Sequence, residues 1–182
     1  MIKVAIEYIK SDLYRYTGRS DGRALLRRLV CDRTMRWHIA FRLMQWCRDC
    51  WYGTFVKMIW RLWRGHSIEI PYTAKIGYGL YVGHGGPLVV NPTAVIGNNC
   101  NLSQFTTIGS NDGRSATIGS NVYVGPNVCI VEDVVIGSNV TIGAGSVVTK
   151  DIPENATAVG NYAKVINYNN PGRYIQNAWR KR

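Results

Sequence analysis

Three histidines occur in this 182-residue chain, at positions 38, 66 and 84, and their surroundings differ. His84 lies in Val82-Gly83-His84-Gly85-Gly86-Pro87, with glycines on both sides. Bare backbone around an imidazole leaves room for a ligand. Imidazole titrates near neutrality, so it can take the proton of an alcohol whose own pKa lies far above 7. Backbone N–H groups on a glycine-rich turn can in turn donate to an oxyanion. The bland alternative is a turn histidine with a satisfied hydrogen bond. His38 sits among Trp and Arg in a helical stretch and His66 at a junction; both read as structural or solvated. The five cysteines (31, 47, 50, 100 and 129) suit a reducing compartment. Cys47-Arg48-Asp49-Cys50 has no second Cys or His pair at metal spacing, so it reads as helix-borne thiols and no metal site is expected.

The element that must position His84 is a six-residue rhythm. Stepping by six from Ile118 gives Val124, Ile130, Ile136, Ile142 and Val148. Four residues beyond each stop come Val122, Val128, Val134, Val140, Ser146 and Ile152, all small or β-branched. Neither helical nor simple strand periodicity accounts for this. A hexapeptide period marks a parallel β-helix, in which equivalent positions stack into one apolar column. The register extends upstream through Ile70, Ile76, Val82 and Leu88, then Ile96, Leu102 and Ile108. Two steps are too long, Leu88 to Ile96 and Ile108 to Ile118, which directs attention to loops at Asn91–Ala94 and Gly109–Thr117 as candidate sites.

The ends differ from the coil. Residues 1–66 hold 14 Lys/Arg against 5 Asp/Glu, residues 67–165 hold 4 against 6, and residues 166–182 hold 4 and none. Three segments follow: an N-terminal helical segment (1–66), a coil (67–166) and a basic tail (167–182). Apolar spacing predicts a helix over 1–17, a second from a Ser20 or Asp21 cap through Val30, and a longer helical region from Thr34 to Trp63 with a break at Gly53. Trp37, Trp46, Trp51, Trp60 and Trp63 alternate there with arginines. That pattern suits a cap on the first coil, with Arg stems over apolar surface, or a membrane-surface helix facing anionic lipid; no nucleic-acid recognition motif accompanies it. No membrane span or signal-peptide layout is present, so a cytoplasmic protein is expected, with peripheral contact to the inner membrane as the variant. The tail reads as irregular or briefly helical, with a mobile end.

Residues 68–166 resemble the left-handed β-helix acyltransferases, in their serine acetyltransferase-like branch. The resemblance rests on Ile70-Pro71-Tyr72-Thr73-Ala74-Lys75-Ile76-Gly77-Tyr78-Gly79-Leu80, on Gly83-His84-Gly85-Gly86, on Asn91-Pro92-Thr93-Ala94-Val95-Ile96-Gly97, and on Gly143–Val148 and Gly160–Ile166. It implies a mainly β fold, a left-handed parallel β-helix of hexapeptide repeats with an N-terminal α-helical segment. It implies a homotrimer with sites between neighbouring coils, acetyl-CoA as donor and His84 as catalytic base. Ser110, Gly125, Pro126, Gly143 and Ala144 match the family's CoA groove, and Lys150 and Lys164 are assigned to the phosphates. Asn91, Gln104 and Asp112 are the expected acceptor contacts, although Asp112 reads equally as a solvated loop residue. Assimilatory serine acetyltransferases carry Asp where Gly83 stands and a His in the second insertion, which this sequence lacks. The expected function is therefore O-acetylation of a capsule, exopolysaccharide or O-antigen sugar. L-serine is the alternative acceptor, and a non-catalytic scaffold the alternative of another class.

Overall fold

Aliphatic stops from Ile70 to Val148 are all buried, and so are the small partners four residues on, Val122, Val128, Val134, Val140, Ser146 and Ile152. The computed structural model describes residues 1–65 and 67–181; His66 at the junction and Arg182 at the tail lie outside the described residues. The buried columns are made by short strands wound into a left-handed β-helix of about five turns. The first coil holds β1 (Ile68–Glu69), β2 (Lys75–Ile76) and β3 (Tyr81–Val82). The second holds β4 (Leu88–Val90), β5 (Val95–Ile96) and β6 (Asn101–Leu102). The third holds β7 (Thr107–Gly109), β8 (Thr117–Ile118) and β9 (Tyr123–Val124), and the fourth β10 (Cys129–Val131), β11 (Val135–Ile136) and β12 (Thr141–Ile142). The fifth holds β13 (Val147–Val148), a bridge at Ile152 and β14 (Thr157–Val159); β15 (Lys164–Asn167) then turns back antiparallel to β14.

Each strand pairs in parallel with its equivalent one coil on, giving three sheets: β1-β4-β7-β10-β13, β2-β5-β8-β11, and β3-β6-β9-β12-β14 with β15 outside. Ile76, Ile96, Ile118 and Ile136 fall in one column, and Val82, Leu102, Val124, Ile142 and Ala158 in another. The turn between the second and third sheets is held by Asn99, Asn121, Asn139 and Asn155, all left-handed with φ from 54° to 65°. Asn tolerates that region better than other side-chain-bearing residues. The amides also ladder: Asn121 Nδ2 donates to Asn139 Oδ1 at 3.1 Å and Asn139 Nδ2 to Asn155 Oδ1 at 3.0 Å. At the start of the same turn the backbones nearly touch, so that a Cβ on Gly97 would stand 2.6 Å from the Gly119 carbonyl carbon.

One of the two expected insertions is displaced. Val90 pairs with Ile108, and Val90 to Ile96 is an ordinary six-residue step, whereas Val82 to Val90 is eight. The two extra residues therefore belong to the His84 loop and not to Asn91–Ala94. Counting from Leu88 misleads because β4 buries both Leu88, opposite Ile68, and Val90 on one face. The second insertion falls between β7 and β8 as expected, with residues 111–114 exposed.

Four helices close the open end of the first coil: α1 (Ile2–Thr17), α2 (Gly22–Cys31), α3 (Arg33–Cys47) and α4 (Gly53–Trp63). Asp21 caps α2, accepting from Ala24 N at 3.0 Å. The expected break falls before Gly53, where a Cβ would stand 2.1 Å from the Arg48 carbonyl oxygen. The edge of the first coil would leave unpaired backbone groups, which are costly when buried. Side chains from α1 and α3 pair them. Asp12 Oδ1 accepts from Leu80 N at 2.8 Å, Ser11 Oγ from Gly79 N at 2.9 Å and the Tyr16 hydroxyl from Val82 N at 2.8 Å. Arg42 donates to Ile76 O at 3.0 Å and Gly77 O at 2.7 Å, and Arg15 to Gly79 O at 2.7 Å. Arg42 also holds both oxygens of Asp12, at 2.8 and 3.0 Å, and His38 Nδ1 lies 3.1 Å from the same carboxylate.

The tail forms no helix. It runs back from the fifth coil to α1: Gly172 N donates to Asn139 O at 2.8 Å, Asn101 Nδ2 to Tyr174 O at 3.1 Å, Trp179 N to Asn99 Oδ1 at 2.9 Å, and Arg15 Nε to Gln176 O at 2.9 Å. The mobile end expected for this segment is thus pinned at least as far as Trp179.

Asp12 is fully buried. Burial alone would raise its carboxyl, but the Arg42 guanidinium and then His38 hold it below its ordinary value. A depressed folded pKa gives a stabilisation complete above about pH 4 and lost as pH falls through the lower folded value. Asp12→Asn leaves Arg42 buried without its counter-charge, and is expected to cost about 3–5 kcal/mol in urea unfolding at pH 7. The difference between variant and parent should shrink below about pH 4. A loss under about 1 kcal/mol would show that the network does not hold the cap.

Candidate active site

His84 leaves the coil where β3 ends. A single 3₁₀ turn, Gly83–Gly85, carries it, with His84 itself left-handed at φ 55°. Gly83 packs on the coil below, its Cβ position 3.4 Å from Ser103 Cα, which holds the loop down while the imidazole stays exposed. The strand that delivers His84 is fixed from the cap, since Tyr16 O–H donates to Val82 O at 3.0 Å while accepting from Val82 N. The Tyr16 oxygen also lies 3.0 Å from His38 Nε2. No side chain among the described residues hydrogen-bonds the His84 imidazole.

The register of the third sheet places the sequence-derived residues relative to His84. Val82, Leu102, Val124 and Ile142 are aligned, so the residues that follow them stack at one corner of the coil. Gly83, Ser103, Gly125 and Gly143 form one row, and His84, Gln104, Pro126 and Ala144 the next. Five of the expected donor and acceptor positions thus share the His84 corner, spread over three coil steps, about 14 Å. The fit is tight, since a Cβ on Gly125 would stand 2.8 Å from Ile142 O.

The other expected residues are elsewhere. Asn91, Ser110 and Asp112 lie at the next corner, beyond the first sheet. There Asn91 Nδ2 donates to Ser110 O at 3.4 Å, and Ser110 Oγ to Glu132 Oε2 at 2.6 Å. The β4 strand alone separates Asn91 from the His84 loop by roughly 10 Å in this chain. Lys150 and Lys164 are exposed, and neither lines the cavity beside Pro126, Gly143 and Ala144. That cavity, about 490 Å³, offers Arg173 as its cation and Thr141, whose buried hydroxyl has no partner among the described residues. Arg173 was out of reach of sequence reasoning because a tail read as irregular, with a mobile end, gave no reason to place it against the coil. Glu132 was missed for a similar reason. It is left-handed at φ 64°, and its carboxylate also faces the N–H groups of Asn111 and Asp112 at 3.3 and 3.4 Å. The Ser110 hydrogen bond, with those N–H groups, holds its carboxyl below the ordinary range. Of the cysteines, Cys100 is packed in the coil interior and burial pushes its thiol up to about 11, so it is no nucleophile.

The family model described as bacterial transferase hexapeptide (six repeats) matches residues 115–150. Serine acetyltransferase of Synechococcus elongatus is 35% identical over 142 residues, covering 76% of this chain and 55% of that protein. Serine acetyltransferase of Helicobacter pylori is 38% identical over 104 residues, covering 55% of this chain and 61% of that protein. Serine acetyltransferase of Neisseria gonorrhoeae, solved in complex with serine, superposes with a TM-score of 0.68 at 30% identity, covering 89% of this chain and 69% of that one. The chain belongs to the hexapeptide-repeat acyltransferase family, among its serine acetyltransferase-like members. It spans less than two thirds of the length of either curated relative.

If Glu132 fastens the second insertion, Glu132→Gln should loosen residues 109–117. Trypsin cleavage after Arg114, the one Lys/Arg in that loop, is then expected several-fold faster, with the melting temperature little changed. Cleavage at the parent rate would mean that the other ties, Arg114 to Asp133 at 3.1 Å and Ser115 N to Thr93 Oγ1 at 2.9 Å, hold the loop without Glu132.

Proposed function

We propose that the chain is an acetyl-CoA-dependent O-acetyltransferase. Its likeness over 89% of its length to a serine acetyltransferase solved with serine carries the reading. His84 is the base: it takes the acceptor hydroxyl's proton as the oxygen attacks the thioester carbonyl. N–H groups of the glycine turn hold the developing oxyanion, and the imidazolium returns the proton to the departing sulfur. Gly125, Pro126, Gly143 and Ala144, stacked below His84, form the groove for the donor's arm, with Arg173 as a phosphate partner beside them. The comparisons favour L-serine as acceptor over the sugar expected from sequence. A sugar hydroxyl stays as the second reading on two observations, Gly83 in place of an acid beside His84 and no histidine within 109–117.

A trimer follows from the same reading. One chain keeps Asn91, Ser110 and Asp112 a corner away from His84, and threefold packing of coils would bring a neighbour's second corner to the first. His84→Ala is expected to keep a mass near three chains by light scattering, and acetyl-CoA binding, while thiol release with the preferred acceptor falls roughly 10²–10⁴-fold. Activity within tenfold of the parent removes His84 from the chemistry.

The N-terminal helices support a place of work. No helix among the described residues is long and apolar enough to cross a membrane, but α4 is apolar over more of its girth than the core covers. Trp37 is buried under the cap as a core residue. In contrast Trp51 is 95% exposed, Leu62 is 72% exposed, and Phe55 and Met58 between them are also exposed, a spacing of four, three and four. Lys57 and Arg61 flank that line. The excess of Lys/Arg over residues 1–66 would attract anionic lipid, at about 1 kcal/mol per cation near the surface. Co-sedimentation with anionic vesicles at low salt is expected, weakened by added salt and by Trp51→Ala/Leu62→Ala. Protein left in the supernatant at low salt would reduce α4 to a cap.

A further inference from the structure

A cavity of about 370 Å³ opens directly beside His84, between the start of α3, the end of α4 and the His84 loop. Arg33, Arg36, Arg64, Thr34, Trp37 and His84 are among its walls, and no carboxylate is, among the described residues. None of the three arginines enters an ion pair among those residues. Arg36 gives one nitrogen to Leu29 O and Val30 O, at 3.1 and 3.0 Å, and keeps the rest of its fork. Arg33 and Arg64 are exposed.

Folding does not account for this grouping. Arg33 is the first residue of α3, where a cation opposes the positive end of the helix dipole. The nearest acid in sequence, Asp32, is committed elsewhere: Oδ1 caps Thr34 N at 2.8 Å and Oδ2 takes Arg28 at 2.6 Å. One buried polar group on the same wall also lacks a partner among the described residues. Trp37 is 2% exposed and its indole N–H meets no acceptor among the described residues. The Thr34 hydroxyl lies 2.7 Å from where a Cβ on Gly85 would stand, so glycine beside His84 keeps that spot open. Buried donors are ordinarily satisfied, and guanidinium forks match phosphate and carboxylate oxygens.

We propose that this cavity is the acceptor's anion subsite, and that the acceptor is a hydroxyl compound bearing phosphate and no ammonium group. The proposal rests on acetyl transfer at His84 but not on L-serine. An amino acid would bring an ammonium into a wall of arginines where this chain offers no carboxylate among the described residues. A phosphate seated on Arg33 and Arg64 would instead leave a neighbouring hydroxyl of the same molecule facing His84.

Inorganic pyrophosphate, titrated calorimetrically into the full chain with CoA held saturating so that the donor groove is filled, tests the subsite apart from turnover. Binding is expected, weakened at least tenfold in Arg33→Gln/Arg64→Gln and largely restored in Arg33→Lys/Arg64→Lys. Both positions are exposed, and unchanged melting of the variants would confirm an intact fold. In thiol-release assays glucose 1-phosphate is expected to outpace both glucose and L-serine, with KM rising at least tenfold in the Gln variant. Equal pyrophosphate affinity in parent and variant, or none in either, overturns the proposal, as does L-serine turnover untouched by the two substitutions. If arginine-dependent binding is found but no acceptor releases thiol, the subsite stands and the acetyl-transfer reading falls.

Discussion

The open end of the first coil is the constraint on which the rest of the molecule depends. A parallel β-helix satisfies its own backbone everywhere except at its ends, where a row of N–H and C=O groups faces outward. Here that row lies under apolar helices, so water cannot pair it. Asp12 and Arg42 do so instead, and each can be buried only because the other is present. Their partnership ties α1 and α3 to the backbone from Ile76 to Leu80. Tyr16 extends the attachment to Val82, two residues before His84. The group that terminates the sheet is therefore continuous with the group that sets the His84 loop.

The coil itself does a different job. Its repeating corners present equivalent positions at one fixed spacing, so a sequence change at one corner alters one rung of a linear groove and leaves the fold alone. Beyond Ser103 and Gln104 the stack below His84 is built of glycine, proline and alanine, residues that bring backbone to the surface. The next corner is polar and organised by Glu132. Within one chain the two corners stay apart, separated by the first sheet.

The helical cap carries more than closure. Its inner face is committed to Trp37, Phe41 and the Asp12 network, and stacking of Trp37 on Phe41 at 4.8 Å fixes the roof of the arginine-lined cavity. Its outer face, along α4, leaves apolar side chains uncovered. Composition alone leaves these faces unresolved, which is why cap and membrane surface stood as alternatives in the sequence; in the structure Trp37 is buried beneath the cap and Trp51 is exposed.

By itself the sequence determined the coil, its core columns, the helical segment and the prominence of His84. Those follow from short-range periodicity: a residue six positions away is one strand further along the same coil whatever the rest of the chain does. Tertiary structure alone decided what lies far apart in sequence. It moved the first insertion onto the His84 loop, because β4 buries two aliphatic residues and only pairing shows which one holds the column. It brought Arg173 back to the coil through a tail tied by side-chain and main-chain hydrogen bonds that no local pattern announces. It separated Asn91, Ser110 and Asp112 from His84 by a sheet, and set three arginines from two helices beside the imidazole. A hydrogen bond across 80 residues, like that of Asn99 with Trp179, or a buried ion pair across 30, like that of Asp12 with Arg42, depends on geometry the folded chain creates.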